Sequence, residues 1–220
     1  MISTFLIEIG LVFYVIWRFG VNGITKLAVA VLICLAVFQF AEFNVCEGAF
    51  GLSSVDWARL GYVSITALPP LGVHLIAKLS GDKRRWPFRL AYVLGGVFAF
   101  YFLFITGGVS TDACLGNYVI FKQGAGSGLL YGVYYYGLLI AAIGYAIFLA
   151  KNAKANIKKS LNWLIIGYLL FMVPTTLVNI IDPSTITGIP SIMCGFAVML
   201  ALVIAFAVLP IRFKEVEKKK

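Results

Sequence analysis

Charge is scarce in this chain. Of 220 residues only 12% are Asp, Glu, Lys or Arg, against about 25% in an ordinary soluble domain. Histidine is scarcer still, with His74 alone. No serine or cysteine nucleophile has a paired imidazole, because His74 is far along the chain from the serines of the loops it would have to serve. One histidine is also too little for a metal centre, and no His, Cys, Asp and Glu set has ligand spacing. The last apolar run, 189–211, lacks lysine, so a retinal Schiff base has no attachment point there. The segment "GAGSG", residues 124–128, lacks the Lys and the preceding strand of a phosphate loop and reads as a flexible lead-in to the next helix. These absences argue against an enzyme and against any cofactor or metal.

What the chain has instead is apolar length. Hydrophobic residues make up 61% of it, and seven runs approach the roughly 20 residues that cross a bilayer. They cover residues 2–17, 24–43, 56–79, 87–106, 129–150, 160–181 and 189–211. The segments between them carry the Gly, Pro, Asn and Ser that punctuate helices, and none is long enough to separate two domains. The expected fold is an all-α membrane protein: a single bundle of seven transmembrane helices, followed by the charged tail 212–220. The opening "MISTFLIEIGLVFYVIWRFG" has no basic flank before its apolar run and no small-residue cleavage site, so it reads as a retained first helix.

The formal net charge of +9 is not spread evenly. Arg18, Lys26, Lys78, Lys83, Arg84, Arg85, Arg89, Lys151, Lys154, Lys158, Lys159, Arg212, Lys214, Lys218, Lys219 and Lys220 all fall on one side of the alternating spans. That is 16 of 18 basic residues, leaving Arg59 and Lys122 opposite. Short loops rich in Lys and Arg stay cytoplasmic, which sets the N-terminus outside and the C-terminus inside a cell membrane. Six of the nine acids, Glu8, Glu42, Glu47, Asp56, Asp112 and Asp182, gather on the other side. Clusters placed as membrane anchors, without nucleic-acid motifs, leave lipid as the expected partner and exclude nucleic acid.

Several residues stand out against this apolar background. Gln39 and Glu42 close the second span, and Asp56, Trp57 and Arg59 open the third. Asn179 and Asp182 close the sixth, while Tyr131, Tyr134, Tyr135 and Tyr136 crowd the outer half of the fifth. Glu8 lies inside the first span with no basic neighbour. Ionisable groups at membrane depth are costly and face a bundle interior or a cavity. Two readings stay open. Arg59 clamps an anionic small molecule among Gln39, Glu42, Asp56, Trp57, Tyr134, Asn179 and Asp182. Alternatively, it pairs with Asp56, Glu42 or Asp182 and pins helix ends together.

Pro69 and Pro70 must kink the third helix, and Pro174 makes a second hinge in the sixth. Pro70, His74 and Lys78 share a helical face. His74 is either a pH switch or, as the scarcity of acidic partners favours, an interfacial histidine satisfied by a carbonyl or headgroup. Cys46 and Cys114 fall in outer loops, where an oxidising exterior permits a bridge between them; free thiols are the alternative. Gly95, Gly96, Gly132, Gly137 and Gly144 mark helix-packing faces.

The phrase "DWARLGYVSITALPPLGVHLIAKLSGDKRR" resembles the third-helix region of the seven-helix N-terminal sensory module of bacterial histidine kinases. The residues that carry the likeness are Trp57, Arg59, Pro69, Pro70, His74 and Leu75. "GLLYGVYYYGLLIAAIGYAIFLAKNAKANIKKSLNWLIIG" is similar to that family's fifth and sixth helices, and "IPSIMCGFAVMLALVIAFAVLPIRF" to its last. In the family that last helix runs into a signalling domain, whereas here "RFKEVEKKK" follows. The resemblance therefore implies a receptor-like module that senses a small molecule or membrane state from outside and acts through a separate signalling protein or a homo-oligomer. Two other readings are an assembly protein whose basic face gathers anionic lipid or a partner, and a small transporter. The halves show no internal repeat to support the transporter.

Overall fold

The structure, a computed structural model, describes residues 1–105, 107–114, 119–124 and 127–217, without the side chains of Asp112, Lys122, Gln123, Thr187 and residues 215–217. Several expectations therefore lie outside the described residues: Thr106 at the end of the fourth run, residues 125–126 of the Gly-rich lead-in, and Lys218, Lys219 and Lys220. The same holds for the Asp112 and Lys122 side chains.

Nine α-helices, one hairpin, a 3-10 turn (Pro183–Gly188) and a π-helical turn (Ile204–Val208) are found among the described residues: α1 (Ile2–Phe19), α2 (Gly23–Glu47), α3 (Ser54–Thr66), α4 (Leu68–Ser80), α5 (Trp86–Phe104), β1 (Val109–Cys114), β2 (Val119–Gln123), α6 (Ser127–Lys151), α7 (Ala155–Ile181), α8 (Ile189–Val203) and α9 (Leu209–Glu217). Seven helical segments are long and apolar enough to cross a membrane; α3 with α4 forms the third, and the seventh runs from Ile189 to Lys214. Helices suit this composition because a backbone without water must satisfy its own polar groups. Their ends are closed by local chemistry. The Asn22 side chain accepts from the N–H groups of Ile24 and Thr25 at 3.0 and 3.1 Å at the start of α2. Gly81 takes the left-handed conformation (φ 76°) that stops α4.

α2 packs against α1, α3, α4 and α8, and α7 packs against α6 and α8. Leu32, Leu35, Leu75, Ile76, Leu139, Leu161, Leu164 and Ile204 are fully buried between them. α5 sits at the edge, burying Ala91, Gly95 and Phe102 while exposing Val93, Val97, Phe100 and Phe104. Close approaches depend on glycine. A Cβ at Gly167 of α7 would meet Leu200 of α8 at 2.8 Å.

The third span is interrupted upstream of its proline pair. Pro69 and Pro70 cannot donate to the carbonyls of Ile65 and Thr66, so the irregularity falls at Ala67. The Ala67 N–H is shared between the carbonyls of Val63 and Ser64, both at 3.3 Å. Tyr134 of α6 donates its hydroxyl to the Thr66 carbonyl at 2.7 Å, replacing the bond that Pro70 cannot make. Gly95 of α5 makes room for this arrangement, because a Cβ there would lie 2.9 Å from the Tyr134 hydroxyl and 3.0 Å from Pro70. By contrast, α7 runs through Pro174 without a break. In the last span a π-helical turn, Ile204–Val208, joins α8 to α9 just before Pro210.

The stretch between α5 and α6 corrects the reading of it as a plain loop. β1 and β2 pair antiparallel, with an irregularity between Thr111 and Ala113. Val109, Val119 and Phe121 are buried, and the Phe121 ring lies 5.3 Å from Tyr62 of α3 and 6.3 Å from Phe38 of α2. The hairpin thus plugs one end of the bundle. The opposite end carries the basic turns.

Candidate functional site

Cys46, on the last turn of α2, is disulfide-bonded to Cys114 at the end of β1. This staple holds the hairpin against the helix that carries Gln39 and Glu42. Glu42 is 2% exposed, and its carboxylate accepts the Val119 N–H of β2 at 3.2 Å. The same N–H lies 3.3 Å from the Ser191 hydroxyl of α8, and that hydroxyl donates to the Val119 carbonyl at 3.0 Å. One hairpin residue therefore joins a buried acid on α2 to the first turn of the last span.

Two further buried polar groups lie on the α1–α2 side. Glu8 is 0% exposed, and neither of its carboxyl oxygens has a hydrogen-bond partner. Gln39 is 2% exposed with its amide nitrogen unpartnered. The buried thiol of Cys194 on α8 lies within electrostatic reach of both Glu8 and Glu42. No Lys or Arg side chain makes an ion pair with either acid among the described residues. Such groups are expensive to bury in an apolar interior and need a reason to be there.

The other sequence candidates are not gathered into one pocket around Arg59. Asp56 caps α3: its carboxylate accepts the Ser53 hydroxyl at 2.6 Å and the Ser53 N–H at 3.2 Å. Arg59 approaches that carboxylate at 3.9 Å and makes no ion pair with Glu42 or Asp182 among the described residues. Trp57 is buried, donates its indole N–H to the Ala49 carbonyl at 3.3 Å, and packs edge-on against Phe40. Asn179 donates to the Thr175 carbonyl of its own helix at 2.8 Å and accepts from the Thr185 hydroxyl at 2.8 Å. Asp182 is exposed and caps the short turn Pro183–Gly188. The Ser184 hydroxyl, at 2.6 Å, and the Ser184 N–H hold its carboxyl below the usual range. Tyr134 is committed to the Thr66 carbonyl.

No family model matches its sequence, and no curated protein does. The site therefore rests on its own geometry.

His74 lies at the other end of the third span. It stacks on Phe88 with ring centroids 4.3 Å apart, and its Nδ1 is 3.2 Å from the Tyr92 hydroxyl. Between α2, α4, α6, α7 and α8 a cavity of about 20 Å³, lined by Leu35, Gly72, Tyr135, Tyr168, Cys194 and Leu200, has room for a single water. It is too small for a metabolite. Sequence reasoning missed Ser191 and the Val119 backbone. The usable signal was "VIFKQ", a short β-branched and aromatic run close behind a cysteine.

Proposed function

We propose that this chain is a receptor-like multi-pass module of the cell membrane. Its hairpin end faces outside, its basic end faces the cytoplasm, and it works through a separate partner. The observation that carries the reading is the contact of Val119 with Glu42 and Ser191. The buried Glu42 carboxyl accepts a hairpin N–H, so anything that displaces the hairpin removes a hydrogen bond from an ionisable group inside the bundle. The same residue holds α8, whose span continues through the π-helical turn to the basic end. A stimulus at the hairpin thus has a contiguous route to the other face. The concentration of Lys and Arg at one end supports the orientation. The likeness to histidine-kinase sensory modules supports the same reading.

The test is thermal unfolding of the detergent-purified protein against a metabolite library, in wild type, Glu42→Ala and Arg59→Ala. A ligand of the folded state raises the midpoint by mass action. A shift lost in Glu42→Ala and kept in Arg59→Ala is the expected result. A shift lost only in Arg59→Ala moves the site to the start of α3. If no compound moves the wild type, the small-molecule form of the proposal fails.

A further inference from the structure

At the end opposite the hairpin, the turn between α4 and α5 is held in one shape. Tyr145 of α6 donates its hydroxyl to the Asp82 carboxylate at 2.7 Å. Arg84 closes on the same carboxylate through Nε at 2.9 Å and a terminal nitrogen at 2.8 Å, and its N–H donates to Asp82 at 3.0 Å. The Arg84 guanidinium also lies over the Phe148 ring of α6, 5.4 Å from its centroid. The Arg84 side chain beside it is the main reason that the Asp82 carboxyl is held down to about 2. Asp82 is thus fully engaged inside the turn, with its side chain only 10% exposed.

What the clasp leaves outward is positive charge. Lys83 and Arg85 are exposed on either side of Arg84, and Arg89 is exposed one turn into α5. Lys151 is exposed three residues beyond Phe148. None of these four has an acidic partner among the described residues. Trp86 projects beside them, 65% exposed. An exposed tryptophan at the end of an apolar span marks the level where hydrocarbon meets headgroups. Fixed cations at that level meet lipid phosphate, and arginine in particular matches its geometry with paired donors.

We infer that the Gly81–Arg89 region, braced on α6, is a binding site for the phosphate of an anionic phospholipid headgroup, with Trp86 seated at the glycerol level. The site is independent of the sensing reading, because it uses neither the hairpin nor Glu42. Asp82 and Tyr145 act as positioning residues that hold the cations apart.

The test is thermal unfolding of the full chain in detergent, titrated with phosphatidylglycerol, phosphatidylcholine or inorganic phosphate. Phosphatidylglycerol is expected to raise the midpoint saturably, and the other two are not. The triple variant Lys83→Gln, Arg85→Gln, Arg89→Gln is expected to need roughly tenfold more phosphatidylglycerol for half the effect. The control triple Lys154→Gln, Lys158→Gln, Lys159→Gln removes the same charge from another turn and is expected to titrate like the wild type. The single change Arg85→Gln, at an exposed position, gives a smaller shift in the same direction and secures the result if the triple does not fold. Equal effects of phosphatidylcholine and phosphatidylglycerol would overturn the site. So would equal losses in both triples, which indicate diffuse attraction, or a rise with inorganic phosphate, which removes the lipid.

Discussion

Glu8 poses the sharpest question at the scale of single residues. Its two oxygens are buried with no hydrogen-bond partner, an arrangement that costs about 1–3 kcal/mol by mutational experience. If stability alone mattered, a similar-sized apolar side chain would serve better. Glu8→Met is therefore expected to raise the unfolding midpoint, by an amount corresponding to about 1–3 kcal/mol; a fall would mean that Glu8 has a partner in solution. Asp82 gives the opposite case, a carboxylate whose bonds stabilise its charged form. Its folded value of about 2 lies below the ordinary 3.8. The contribution is present above about pH 4 and is lost as pH falls towards 2. Asp82→Asn is expected to flatten that acid limb of a stability–pH profile, leaving the neutral-pH fold intact.

Among the elements, the interrupted third span and the hairpin make separate demands. Tyr134→Phe leaves the Thr66 carbonyl without its donor and is expected to cost about 1–3 kcal/mol. In a Pro70→Ala background the restored N–H can bond that carbonyl, so the same change is expected to cost measurably less. Additive costs in a double-mutant cycle would show that the tyrosine does not stand in for the proline. Reducing the Cys46–Cys114 bond, which spans 68 residues, is expected to lower stability by about 2–4 kcal/mol. Hydropathy and the paired prolines made the spans and the site of the kink legible in the sequence. The hairpin was only faintly legible: "VIFKQ" in Val119–Gln123 is a weak strand signal, and Val109–Cys114 is short and mixes apolar with polar residues. Sequence places Glu42, Arg59 and Asp182 at the same level along the bundle, but it does not fix rotation about each helix axis. Rotation turns Glu42 inward to Val119, while Arg59 and Asp182 serve their own helix ends.

On the scale of the whole molecule, the two ends differ in kind. One is closed by a disulfide-stapled hairpin that reaches a buried acid. The other presents cations around a braced turn. The last span touches the hairpin at its first turn and runs to the basic end, as the third span does from Ser54, and it alone among the described spans changes to a π-helical pitch, at Ile204–Val208. Ser160 of α7 donates to the Val208 carbonyl at 3.3 Å within that turn. If the hairpin is a sensing element, its state must reach this region. Hydrogen exchange by mass spectrometry on Ser191→Ala, which removes the bond to Val119 without disturbing the disulfide, reads this most directly. Faster exchange is expected both in the hairpin and in residues 204–213. Faster exchange confined to the hairpin would contradict coupling between the two ends and leave the hairpin as a plug alone.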